Sequence, residues 1–203
     1  MPDAVDSDLK ARVLLACFDA LERHGFLRYK RQGVDLHLRD SFYCWVGINT
    51  AIEADYVEVN PSVGIHVVSI EKLWTSLTKG KYPWKYRRGV ATYALHMGEL
   101  APKVPAFHFA PETDIASEAA RLADLYCKVG VPYAKSISDY ERTLPLLESR
   151  IDWLGAYPER VACCLYLMHR AADARAFVQD FLSREEDYFK GFAEPFLEML
   201  SRD

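Results

Sequence analysis

The chain has 203 residues, half of them hydrophobic, and carries 25 basic and 29 acidic side chains for a net charge of −4. That much apolar material can bury a core as one domain, with or without a helical extension, and leaves little room for two independent ones. Residues 1–100 come to about +1 and residues 101–203 to about −5, so no global basic field calls for nucleic acid.

Met1-Pro2-Asp3-Ala4-Val5-Asp6 lacks the basic-then-apolar order of a signal peptide. No run reaches the ~18 apolar residues of a membrane span. The expectation is a soluble, cytoplasmic protein. Asp6, Ser7 or Asp8 can cap a first helix in which Leu9, Val13, Cys17 and Leu21 fall four apart. Gly25 stops it, and its apolar stripe is expected on one face of a following sheet. Residues 26–30 suit a short first strand before Gly33.

From Val34 the period changes to two. Val34, Leu36 and Leu38 alternate with Asp35, His37 and Arg39. Arg39-Asp40-Ser41 is a short polar connection of the hairpin kind, without the Asn-Gly or Asp-Gly of a two-residue turn. In the next run Phe42, Cys44, Val46 and Ile48 share the inward parity, and Tyr43, Trp45, Gly47 and Asn49 the other. Residues 56–59 resume a strand. Asn60-Pro61-Ser62 is expected to bulge or turn, because proline cannot donate to a central ladder, and Val63, Ile65 and Val67 alternate after it. The reading is an antiparallel meander.

Ile70, Leu73, Trp74 and Leu77 have helical spacing after a possible cap at Ser69. Residues 79–88 then form a basic, aromatic loop, followed by a strand over residues 90–97 and a short edge strand over 106–110, punctuated by Pro102, Pro105 and Pro111. Thr113 can cap a helix with Ile115, Ala119, Leu122, Tyr126 and Val129 on its stripe, ending at Gly130 with Pro132 beyond. Ser138-Asp139-Tyr140-Glu141 has capping-box spacing, with Pro145 limiting or kinking the helix it opens. Pro158 suits a first helical position before Val161, Cys164, Leu165 and Met168. The pattern reinitiates near Ala171 and reaches Leu200, with an interruption expected near Gly191 and Pro195. The fold class is α+β: an antiparallel β-meander covered by an N-terminal helix, with a mainly helical C-terminal part. Residues 1–150 read as the α+β domain and 151–203 as a helical extension docked on it.

A helix ending in His24-Gly25-Phe26, the strands of residues 42–49 and 56–67, and residues 114–130 followed by Val131-Pro132 together resemble a bacterial domain-of-unknown-function family of small α+β proteins. Some members of such families look like immunity or accessory proteins encoded near toxins. The resemblance implies a non-enzymatic interaction protein and transfers no active-site residue.

Two constellations carry chemistry. In residues 79–88 five cations and three aromatics fall within ten positions. Lys81, Trp84, Lys85, Arg87 and Arg88 are the candidate contact residues for an anionic surface, with an acidic protein as the expected partner. The alternative is an enzyme or small-ligand binder built on a polar and aromatic sheet face with Asp35, His37, Tyr43, Trp45, Glu58 and His66, since imidazoles beside carboxylates can move protons. No GxSxG elbow, P-loop or GxGxxG is present, which weighs against an enzyme. Cys17, Cys44, Cys127, Cys163 and Cys164 are odd in number, scattered and set in apolar segments, so they read as reduced and buried. With no CxxC pair, no metal site is expected, and no cofactor.

Overall fold

A computed structural model gives the fold and describes residues 4–29, 33–78, 89–153 and 155–202. The order is α1 (Ala4–Glu22), β1 (Leu27–Arg28), β2 (Val34–Arg39), β3 (Phe42–Ile52), β4 (Val57–Val67) and α2 (Val68–Leu77), then β5 (Tyr93–His96), α3 (Met97–Leu100) and β6 (Phe107–Phe109). Helices follow to the end: α4 (Ile115–Leu125), a π-turn (Tyr126–Gly130), α5 (Val131–Ser136), α6 (Tyr140–Glu148), α7 (Tyr157–Leu167), α8 (Ala171–Arg184) and α9 (Glu186–Met199). Among the described residues the strands form one antiparallel sheet in the order β1-β2-β3-β4-β5, with β6 also paired to β4. The expected α+β class is what is observed. No described helix is long and apolar enough to cross a membrane.

The chain divides into two compact units. The first comprises residues 1–39, 43–65 and 94–136, and the second residues 40–42, 66–93 and 137–203. Residues 137–150, grouped with the sheet in the sequence division, thus cluster with the later helices.

In the first unit β2 and β3 follow the alternation of their sequence, with Phe42, Cys44 and Val46 buried and Asn49 exposed. Asp40, in the connection between them, adopts φ +42°, a left-handed conformation that aspartate tolerates better than most residues. β4 does not turn at Asn60-Pro61-Ser62. It runs unbroken through Pro61, and β6 pairs only with Val57, Val59 and the residue between them, so the proline lies beyond the segment that β6 covers. α1 packs chiefly along α4 and to a lesser extent against β1 and β2. Arg28 of β1 reaches back to Asp19 and Glu22 of α1 at 2.6 and 2.8 Å.

The helix from Ile115 does not stop at Gly130. It continues through the π-turn into α5, and glycine is present at 130 because a Cβ there would come within 3.2 Å of both the Tyr126 ring and the Val63 side chain. Tyr126 is fully buried. Its hydroxyl donates to the Gly47 carbonyl of β3 at 2.8 Å, with the Ser62 carbonyl of β4 as a second acceptor at 3.1 Å. Burial keeps the phenol protonated by raising its pKa well above the ordinary value. The cap of α4 is Asp114 rather than Thr113: Asp114 Oδ1 accepts from the Ala116 and Ser117 amides, while Thr113 Oγ1 accepts from Ala110.

The second unit holds α2 and α6 to α9. α2 begins one residue before Ser69, without a side-chain cap, and the Ser69 hydroxyl instead meets Ser41 at 2.9 Å and Tyr140 at 2.7 Å. The cap of α6 is Asp139, one residue beyond the Ser138 that the capping-box spacing points to, and its carboxylate accepts from the Arg142 amide at 2.8 Å. α6 passes through Pro145. The expected break near Gly191 and Pro195 is absent; the chain breaks at Glu185, and α9 runs through both residues. Phe189, Phe192, Ala193 and Phe196 supply the reason, because this buried stripe stabilises the helix more than glycine and proline disfavour it.

At the base of this unit Glu71 of α2 and Arg160 of α7 form a nearly dry ion pair, their side chains 4% and 6% exposed. Arg160 Nε donates to Glu71 Oε1 at 2.7 Å and Nη2 to Oε2 at 3.2 Å. Thr92 Oγ1 also donates to Glu71 Oε1, at 2.8 Å, while accepting from the Val67 amide. Desolvation disfavours the guanidinium charge, but the adjacent carboxylate outweighs it and raises the Arg160 pKa.

Two predictions follow from these buried contacts. Tyr126→Phe removes one buried hydrogen bond and should cost about 1–2 kcal/mol, read as a fall of roughly 3–6 °C in Tm; an unchanged Tm would contradict the assignment. Arg160→Met strands the Glu71 carboxylate and should cost about 3–5 kcal/mol in urea unfolding, whereas Glu71→Met with Arg160→Met removes both charges and should recover much of that loss.

Candidate functional site

Lys81, Trp84, Lys85, Arg87 and Arg88 lie outside the described residues. Of the sheet-face set, His37 and Tyr43 meet edge to face with ring centroids 4.9 Å apart, and Trp45 folds across Gly47, where an added Cβ would overlap its ring. Asp35 is buried rather than presented on an open face. His66 is buried too, with Nδ1 2.8 Å from the Val90 carbonyl.

Glu58 lines a different feature of the first unit, a cleft of about 270 Å³ with Asn60, His96, Met97, Val104 and Phe107. Its histidine is already engaged. His96 Nδ1 accepts from the Gly98 amide at 3.0 Å and its own amide donates to Glu99 Oε1, so the ring serves as the cap of α3.

A larger cleft, of about 430 Å³, opens in the second unit, lined by residues of the turn before α7 and of α8 and α9. Trp153, Phe181 and Tyr188 give it aromatic walls, and Asp152, Arg184 and Glu185 give it charge. Trp153 is 58% exposed and Tyr188 is 55% exposed. They are the two aromatics among the strongly exposed large hydrophobic side chains of the described residues, and both line this one cleft.

Local chemistry fixes the walls. Gly155 sits at φ +132°, a conformation open to glycine and strained for any residue with a Cβ. Its carbonyl accepts from the Tyr188 hydroxyl at 3.0 Å, which pins α9 to the turn. Arg150 stacks its guanidinium 3.8 Å from the Trp153 ring centroid. Arg184 pairs with Asp180 at 2.7 Å and lies over Phe181. Asp152 and Glu185 have no ion pair or hydrogen bond from their carboxylates among the described residues.

Sequence reasoning missed this site. Glu185 reads as favourable charge at a helix start, and Trp153 stands alone in a turn; the signal that could have found them is a large aromatic beside glycine in a polar connection, where no apolar stripe claims it.

No cysteine is among the residues that line this cleft, and of the five cysteines Cys127 is half-buried where the other four are buried as expected. Burial pushes the Cys17, Cys44 and Cys164 thiols up to about 12, so none is a thiolate at neutral pH. Among the described residues no group of three or more His, Cys, Asp or Glu is placed to hold a metal ion.

Behind Tyr188 lies Glu159, largely buried, with its Oε2 3.4 Å from the Tyr188 hydroxyl. Burial raises its carboxyl pKa, against smaller lowering pulls from a backbone amide, Tyr188 and Arg160. Because the folded pKa exceeds the unfolded one, the folded state binds this proton more tightly. The group's contribution to stability is therefore present at low pH and lost as pH rises through the folded value. Glu159→Gln should stabilise the protein at pH 8 and change it little at pH 4, as measured by Tm across that range.

In comparisons with known proteins, no family model, no curated protein and no solved structure matches the chain.

Proposed function

We propose that this protein acts by binding another protein rather than by catalysis, and that the cleft walled by Trp153 and Tyr188 is its contact surface. The observation that carries this reading is the pairing of two half-exposed aromatic rings in one concave site with carboxylates that have no ion pair among the described residues. Burying Trp and Tyr supplies much of the affinity of protein interfaces, because each brings a large apolar area at low entropic cost. A fold gains nothing from leaving both in water. An immunity-like or toxin-accessory setting is the one that the family resemblance implies, and it rests on that resemblance alone.

The test separates the cleft from the cationic loop of residues 79–88. Wild-type protein, Trp153→Ala and a variant with Lys81, Lys85 and Arg88 changed to Glu are each used to capture partners from the native host. Trp153→Ala should leave Tm nearly unchanged and weaken the wild-type partner about 30-fold, as expected for an aromatic anchor worth about 2 kcal/mol. The loop variant should keep the partner. Recovery of the same partner with the same affinity by Trp153→Ala would remove the cleft from the contact.

A further inference from the structure

We infer that the group received by the cleft is a guanidinium, an arginine side chain presented by the protein partner; this deepens the contact reading above and rests on it.

Charge gives the first argument. Arg184, the cation among the lining residues, is matched by Asp180 at 2.7 Å. Asp152 and Glu185 have no ion pair among the described residues, and even with the Arg150 guanidinium on the Trp153 ring they leave the site with an excess of negative charge. An anionic group entering here would face two carboxylates, whereas a cation finds its counter-charge in place.

The walls give the second. An aromatic face attracts a cation through the ring quadrupole, and the attraction grows as water is excluded. The chain already uses these rings in that way: Arg150 lies 3.8 Å from the Trp153 centroid and Arg184 lies 5.3 Å from that of Phe181. Trp153 remains 58% exposed with Arg150 in place, so part of the indole is still open to a second planar group.

Shape selects arginine over lysine. A guanidinium is flat, so it can stack on a ring while its N–H groups, in the same plane, reach carboxylates at the edge; an ammonium can satisfy one requirement or the other, but not both with one geometry. Tyr188, held by its bond to the Gly155 carbonyl, supplies a wall that does not have to be ordered on binding.

The experiment uses the full chain and three capped peptides, Gly-Arg-Gly, Gly-Lys-Gly and Gly-citrulline-Gly, citrulline being the neutral isostere of arginine. The Trp153 indole resonance, assigned with Trp153→Phe, is followed by NMR. The arginine peptide should move it saturably, the lysine peptide should bind several-fold more weakly, and the citrulline peptide should leave it in place. Asp152→Asn with Glu185→Gln should weaken the arginine peptide at least tenfold while the rest of the spectrum stays folded. A citrulline peptide that binds as well as arginine, or an arginine peptide that leaves Trp153 unmoved, overturns the inference. The contact reading is judged separately, on partner capture by Trp153→Ala, so a contact surface that takes some other group would show itself by losing its partner there while failing to distinguish arginine from citrulline here.

Discussion

The second unit depends on the buried pair between Glu71 of α2 and Arg160 of α7. Two charges removed from water repay their desolvation only when both carboxylate oxygens and the guanidinium donors are held in register, and Thr92 adds a further donor to the same carboxylate. That requirement fixes the first turn of α7. The turn leading into α7 is closed by Gly155 at positive φ, and the Gly155 carbonyl takes the Tyr188 hydroxyl of α9. A chain of directional contacts thus runs from a dry ion pair to the wall of an open cleft, and the cleft inherits its shape from groups that have little freedom to move.

In the first unit the corresponding constraint is a buried tyrosine. Tyr126 fills the space over Gly47 and Ser62, with Gly130 shaved to a bare backbone so that Val63 and the tyrosine ring can approach it. The two units therefore differ in what they offer. The first buries Tyr126 in its own packing, and the second leaves Trp153, Tyr188, Asp152 and Glu185 turned to solvent in one place. Exposed aromatics beside carboxylates are the chemistry on which the proposed contact rests, and burial holds the Cys17 and Cys164 thiols in the protonated form.

Much of the fold was legible where local pattern and tertiary environment agree. The two-residue alternation of Phe42, Cys44 and Val46 marks β3 because one face of that strand is buried. Asp139 and Pro158 mark helix starts because their backbone chemistry acts within one turn. Reading failed where packing overrides propensity: Pro61 inside β4, Gly130 inside a continuing helix, and Gly191 with Pro195 inside α9 each look like breaks until the buried neighbours are known. The cleft was not legible, because Trp153 and Tyr188 come together only when α8 and α9 fold back on the turn before α7. Asp35 and His66 show the opposite case, since both stand at an outward parity in the sequence and both are inside.

Trp153 stands beside an excess of negative charge, Asp152 and Glu185 against the one guanidinium of Arg150 on its ring. With the tryptophans replaced by 5-fluorotryptophan, the Trp153 fluorine signal can be exposed in turn to cationic and anionic nitroxide probes of equal size. The account predicts severalfold stronger broadening by the cationic probe, with the difference shrinking as added salt screens the site. Equal broadening by both probes, or stronger broadening by the anionic one, would contradict it.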